Sequence, residues 1–305
     1  VMVDTIMPFT YFNDLLPRLA ARRLPLELFY EQKANLSLAR VLALKNAGVT
    51  VIQPGIEALA TALLRRMNKG VQAWQNIMLL RYAGSAGLIL FWNLLWGFPG
   101  DEAEAYEETL ALLPLLRHLQ PPASFAHVTI DRFSPYFDHP DRYGIRNIRP
   151  NGAYASAFPP QADVPRLAQW FTGEYACGAY RNPDVILKIH QEVAEWRRRW
   201  AKGVNPPSLK VVRRRSIHGE DHLLIDTRGL PGTQRTRLLD PAQVSVVLAA
   251  RPYRESEDIG WAIGQKLGVV VDSWYVPLAT ASPELLMELE ESKMDTALVA
   301  TERSQ

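Results

Sequence analysis

Asp4, Glu31, Gln53 and Asn93 fall at or late in short apolar runs, Glu57 follows one by a turn, and Asp131 with Arg132 closes another. A single polar residue at a strand end is ordinary. Five successive strands ending this way gather polar groups on one rim, where parallel α/β proteins build their sites. A second feature is the stretch from Asn93 to Asp101, in which Gly97, Phe98, Pro99 and Gly100 follow an apolar run and precede an acid-rich amphipathic one. It reads as a strand, a tight turn and a helix start. Glycine allows positive φ and close approach of backbone to a ligand, and Asp101 and Glu102 suit the positive end of the following helix. Taken alone, the turn is equally readable as structural.

The elements that must position these residues alternate. The predicted strands are Val1 to Ile6, Leu26 to Tyr30, Val49 to Gln53, Leu88 to Trp96 and Phe125 to Ile130. Helical patterns separate them: Ser37 can cap Leu38 to Lys45 ahead of Gly48, Leu59 to Met67 stops at Asn68-Lys69-Gly70, and Asp101 can cap a run that Pro114 should kink. Such alternation predicts parallel βα units in a barrel or an open sheet. A Pro/Gly/Asn-rich stretch from Pro140 to Pro165 reads as a long loop or cover. A helix from Pro183 to Ala201 follows, and residues 196–215 carry eight Lys or Arg and no acid. A basic run with interleaved tryptophans can bind nucleic acid or an acidic peptide. Its interruption at Asn205-Pro-Pro favours a solvated face. Beyond Ser208, a hairpin around His218-Gly-Glu-Asp221, two short helices (Pro241 to Arg251, Ile259 to Leu267) and a second hairpin (Val269 to Asp272, Tyr275 to Ala279) suggest a winged-helix-like domain.

The chain has 305 residues, 48% of them hydrophobic, enough for one large domain and a smaller one. A net charge of +2 gives no global pull toward nucleic acid. One cysteine excludes an internal disulfide framework and suits a reducing cytoplasm, the expected location. No apolar run reaches membrane-spanning length and no signal peptide opens the chain, so no membrane partner is expected.

The motifs, taken in order, resemble the cobalamin-dependent radical SAM enzymes, in particular the branch that matures ribosomally made peptide natural products (RiPPs). They are Val3-Asp4, Phe29 to Asn35, Gln53-Pro-Gly-Ile-Glu57, Met67-Asn-Lys-Gly70, Trp92 to Asp101, His118 to Pro122 and Asp131 to Tyr136. The resemblance implies a partial radical SAM barrel over residues 1–175, missing its first strand. It further implies a helical linker over 176–205, a winged-helix-like α+β domain over 206–283 and a tail over 284–305. S-adenosylmethionine would lie across the carboxyl-terminal rim. Asp4 would sit near the methionyl amine, Glu31 and Glu57 in the region of the amine and ribose, and Asn93 with Gly97, Phe98 and Gly100 against the adenosine, with Gln53 in the same cofactor-binding set. Arg132, Ser134 and Tyr136 would face the substrate. Asp101 stands where the family more often has glutamate.

One departure outweighs these matches. The CxxxCxxC motif that ligates the family's four-iron four-sulfur cluster is absent. Cys177 is the sole cysteine, and His118, His127 and His139 lack replacement ligand spacing. The upstream cobalamin domain is also absent, and the chain opens at Val1 in the middle of a strand pattern. Truncation accounts for this better than a degenerate relative would. The expectation is therefore the carboxyl-terminal part of a C-methyltransferase for a precursor peptide, inactive as it stands, whose cluster and cobalamin ligands lie elsewhere. Two alternatives remain open: a peptide- or nucleic-acid-binding protein acting through the basic run and winged-helix-like domain, and a metal- or base-assisted enzyme using Glu31 and Glu57.

Overall fold

A computed structural model of the chain describes residues 6–217, 219–254 and 259–291. All of the predicted strand Val1 to Ile6 except Ile6, including Asp4, and the hairpin residue His218 lie outside the described residues, as does the tail beyond 291. The fold is mixed α/β. After helix α1 (Leu15–Arg22), strands β1 (Leu28–Gln32) and β2 (Val49–Pro54) pair in parallel, with Glu31 opposite Gln53. Helix α2 (Leu38–Asn46) connects them, its first turn capped by Ser37, whose Oγ accepts from Arg40 N at 3.4 Å.

The run Leu88 to Trp96, read from sequence as one strand, is broken in two. β3 (Ile89–Leu90) continues the first sheet beside β2, whereas β4 (Asn93–Trp96) pairs in parallel with β5 (Ser124–His127). The break has a tertiary cause. Trp92 is buried against Trp196 in a T-shaped contact at 6.1 Å, and Gln120 takes over the backbone by accepting from Leu90 N at 2.6 Å. An isolated parallel bridge between Glu57 and Leu94 links the two sheets.

On the outer side, helix α3 (Thr61–Arg66) is shorter than predicted and ends at Asn68 and Gly70, both with positive φ. Helix α4 (Ala73–Ala86) was not anticipated. It begins in a Gln72/Gln75 capping box and is buried on most of its circumference, so it carries no polar face to betray its period. Helix α5 (Glu104–Leu116) runs through Pro114 without ending. Its N-cap is Ala103, which corrects the expected capping role of Asp101.

The Pro140 to Pro165 stretch is not one long loop. Strand β6 (Ile130–Asp131) splits from β5 and forms an antiparallel sheet of order β6-β8-β7 with β7 (Arg146–Pro150) and β8 (Trp170–Glu174). Short helices α6 (Pro135–Asp138), α7 (Ala153–Ala157) and α8 (Val164–Leu167) complete this cover around a small core of Ile130, Ile145, Ala168 and Phe171. Elements this short leave no readable periodicity.

Past the short helix α9 (Gly178–Arg181), helix α10 (Pro183–Arg199) buries Val185, Ile186, Ile189, Val193 and Trp196. The carboxyl-terminal part comprises an antiparallel sheet of β9 (Leu209–Ser216), β10 (Gly219–Asp226) and β11 (Thr236–Leu239), then α11 (Pro241–Val247), β12 (Tyr253–Arg254) and α12 (Ile259–Gly264). It closes with β13 (Gly268–Val271) and β14 (Trp274–Pro277), joined at Asp272 and Ser273, which both take positive φ as a two-residue hairpin requires. Gly219 to Asp221, expected in a turn, already pair within β10, and β11 and β12 were not foreseen.

One hydrophobic cluster runs from Met7 to Leu286 through both parts. Buried polar joints reinforce it. Arg81 donates to the carbonyls of Ala279 (2.7 Å) and Ala249 (2.8 Å), and Tyr82 to that of Ala250 (2.6 Å). Arg228, ion-paired with Asp226 at 2.7 Å, donates to Leu115 and Lys266 carbonyls. The basic run is largely neutralised: Arg198 and Arg199 pair with Glu195, Arg213 with Glu220 and Glu288, Arg214 with Asp221 and Arg215 with Glu220. Among the described residues no helix is long and apolar enough to cross a membrane.

Candidate functional site

The site grows from the half-buried face of the parallel strands. Side chains alternate along a strand, so residues in register share a face. Phe29, Val51 and Ile89 are in register across β1, β2 and β3, and Glu31 and Gln53 follow two residues on. This face is uncovered where it is apolar: Ile89 and Phe91 are each 51% exposed. On the adjoining pair, Asn93 lies opposite Ser124 and accepts its hydroxyl proton at 2.8 Å. Glu31, Gln53 and Asn93 are all half-buried; Glu31 and Gln53 come next to last in β1 and β2, but Asn93 opens β4 instead of lying late in its strand, because the run breaks at Trp92. The Nε2 of Gln32, at the end of β1, is buried and finds no acceptor among the described residues.

The glycine turn is built differently from the sequence expectation. Asp101 is 1% exposed and turned back into the turn. Its Oδ2 accepts from Phe98 N at 2.9 Å and from the Tyr106 hydroxyl, and its Oδ1 from Gly178 N (2.5 Å) and Ala179 N (3.3 Å). The same Tyr106 oxygen accepts from Gly97 N at 2.8 Å. Burial, then the hydrogen bond to Asp101, raise the Tyr106 phenol, so it stays a neutral donor. Gly97 has φ +80°, and a Cβ there would lie 2.6 Å from Nε2 of His127. The close approach that requires glycine is therefore to an imidazole ring. His127 is held in turn by Tyr180 at 2.7 Å and by the Val128 carbonyl at 2.6 Å. At Gly100 (φ +70°) a Cβ would meet the flexible end of Arg66, which donates to Pro99 O at 2.9 Å. His127, Tyr175 and Gly178 escape a sequence reading because their partners lie up to 78 residues away, and Tyr175 donates to Gly97 O at 2.8 Å; Tyr106 is only five residues from Asp101 but sits within the apolar pattern of α5.

Between this turn and the cover lies a cavity of about 1020 Å³. Of the residues singled out from sequence, Glu57, Phe98, Ser134 and Tyr136 line it, and Glu31, Gln53, Asn93, Gly97, Gly100 and Arg132 do not. Glu57, itself at positive φ, is paired with Lys69 at 2.6 Å. Ser134 caps α6, and Tyr136 packs edge-on against Tyr143 at 4.7 Å. Burial raises the Tyr136 phenol, with Arg66 pulling the other way. Arg132 serves the cover instead: its Nε donates to Ala168 O at 2.7 Å, and its guanidinium lies 5.0 Å from the Phe171 ring centroid.

An iron–sulfur cluster does not fit these residues. Cys177 is buried, and burial raises its thiol, which keeps it protonated. His118 is buried with Nε2 at 2.8 Å from Leu278 O, and among the described residues no group of three His, Cys, Asp or Glu can hold a metal ion.

No protein-family model and no curated protein matches the chain. Among solved structures it is similar to the radical S-adenosylmethionine methyltransferase TsrM from Kitasatospora setae with cobalamin and a 4Fe-4S cluster bound. The identity is 15%, over 60% of this chain and 41% of that one, with a TM-score of 0.43. It is also similar to the apo form of the cobalamin-dependent S-adenosylmethionine radical enzyme OxsB, at 15% identity over 58% of this chain and 31% of that one, TM-score 0.42. The OxsB form with aqua-cobalamin and S-adenosylmethionine bound matches at 17% over 44% and 20%, TM-score 0.31. The chain spans less than half the length of these structures. At these identities and TM-scores the likeness carries no residue role to this chain.

Proposed function

We infer that this chain is the carboxyl-terminal part of a cobalamin-dependent radical SAM enzyme, a C-methyltransferase acting on a ribosomally made precursor peptide. In this reading the parallel strands are a partial barrel, and residues 206–283 are a winged-helix-like extension that engages the peptide. The observation that carries it is the open inner face: Phe29, Val51 and Ile89 in register, with Ile89 and Phe91 exposed beside the polar strand ends. A soluble protein rarely leaves such a sheet face bare. The reading covers it with the missing barrel wall and the cofactors.

The polar strand ends suit S-adenosylmethionine. Glu31, Gln53 and Glu57 offer acceptors for an ammonium group and ribose hydroxyls. Asp4 and Asn93 belong to the same proposed set. Gly97, Phe98 and Gly100 act through the shape of the turn, since Phe98 is 1% exposed. Ser134 and Tyr136 face the cavity where substrate would enter, and Arg132 holds the cover over it. The cluster has no ligands here, so no step is assigned to it in this chain.

The test uses the product of the whole open reading frame that contains this chain, reconstituted anaerobically with iron, sulfide and cobalamin. It should show the paramagnetic signal of a reduced 4Fe-4S cluster and consume S-adenosylmethionine. A gene product with no CxxxCxxC ahead of Glu31 would overturn the reading.

A further inference from the structure

We propose that the cavity beside the glycine turn is an anion-binding chamber, and that the peptide substrate presents to it a multiply charged oxyanion, a phosphate ester or a cluster of carboxylates. Arg65, Arg66, Lys69 and Arg142 face it, and among its described lining residues Glu57 is the sole carboxylate. Lys69 is already paired with Glu57, which leaves the three arginines without a carboxylate partner among the described residues. Arg65 and Arg66 sit in the last turn of α3, where cations complement the helix end. That explains their presence on the helix, but it does not explain Arg142, which comes from the opposite wall, in the cover.

The cations are placed on both sides of the space. Arg66 is fixed by one nitrogen to Pro99 O and its other N–H groups have no acceptor among the described residues, and Arg142 lies 6.0 Å from the Tyr143 ring centroid. Ser134 and Tyr136 add hydroxyl groups to the same walls, whereas the Thr129 hydroxyl there is already donated to Oδ1 of Asp131 at 2.9 Å. Guanidinium groups converging with hydroxyl donors suit phosphate or carboxylate oxygens, which accept two parallel N–H bonds. Neutral substrates would leave these charges unused. That an anion binds rests on the cavity alone; that the anion belongs to the substrate rests on the proposed function.

Calorimetric titration of this chain with pyrophosphate and, separately, with citrate tests the proposal. Saturable binding is expected, weakened about tenfold or more by Arg142→Gln and again by Arg65→Gln, an exposed residue whose loss should leave folding intact. Preference for pyrophosphate would assign a phosphate ester, and preference for citrate a cluster of carboxylates. No saturable binding of either, or binding by both variants as tight as that of the unsubstituted chain, overturns the chamber. Binding as expected, in a full-length protein that fails to consume S-adenosylmethionine, would sink the proposed function and leave the chamber standing.

Discussion

Oδ1 of Asp101 lies 2.5 Å from the amide nitrogen of Gly178, joining the glycine turn to the start of α9 across 77 residues of sequence. The carboxylate is buried and satisfied from several directions, so the turn is held from inside the protein by a charge that touches no solvent.

Asp101→Asn keeps the shape and puts a donor where acceptors are needed. At least one of the amides at Phe98, Gly178 and Ala179 then loses its partner, at a cost of about 3 kcal/mol in unfolding free energy. Tyr106→Phe removes the hydroxyl shared by Asp101 and Gly97 N and should cost about 2 kcal/mol. Urea unfolding followed by tryptophan fluorescence measures both. An Asp101→Asn midpoint equal to wild type would mean the buried contacts contribute nothing.

Gly97→Ala meets two separate penalties, the positive φ of +80° and the His127 ring 2.6 Å from the new methyl. Together they should cost about 3 kcal/mol, of which the backbone share is about 1 kcal/mol. In a His127→Ala background the substitution should therefore cost only about 1 kcal/mol. Gly100→Ala, which displaces a flexible arginine end, should cost less than Gly97→Ala in the native background. Strictly additive effects of Gly97→Ala and His127→Ala would show that the ring is not what excludes a side chain.

What could be read beforehand was local. Ser37 ahead of Leu38, Gly48 after Asn46 and the short apolar runs of β1 and β2 are signals carried by neighbouring residues, and those elements fell close to expectation. The break at Trp92 was invisible because it depends on Trp196 and Gln120, and α4 was passed over because burial all round erased its polar face. The site divided the same way. Glu57 and Tyr136 were legible as strand-end and loop residues, whereas the arginines of the opposing walls become a group only once α3 and the cover face each other.

His118 should make stability fall in acid. Burial, with Arg228 nearby adding to it, lowers its pKa to about 3. In the unfolded chain the ring titrates near the ordinary imidazole value of about 6.5, so between about pH 6.5 and 3 the unfolded state binds the extra proton and is favoured. Stability is thus complete above that window and falls by up to about 1.4 kcal/mol per pH unit within it. Unfolding free energies at pH 7 and pH 5 should differ more for wild type than for His118→Gln, in which the amide replaces the Nε2 donor to Leu278 O. Equal pH slopes for the two proteins would exclude His118 as the source.

The boundary near residue 206 suggests that the carboxyl-terminal part folds on its own, and the buried joints argue that in this chain it does not. Arg81 of α4 satisfies the carbonyls of Ala249 and Ala279, Tyr82 that of Ala250, and Arg228 reaches back to Leu115. Separating the parts would strip buried carbonyls of their donors and open a continuous core. Urea unfolding should therefore be a single transition in which tryptophan fluorescence and far-ultraviolet dichroism coincide. Arg81→Met should move that one midpoint by a loss of about 3 kcal/mol without splitting it. A chain of residues 206–291 expressed alone should give the narrow amide proton dispersion of an unfolded polypeptide. Two resolved transitions in the intact chain, or a well-dispersed spectrum from the excised part, would show that the joint is a contact between autonomous domains.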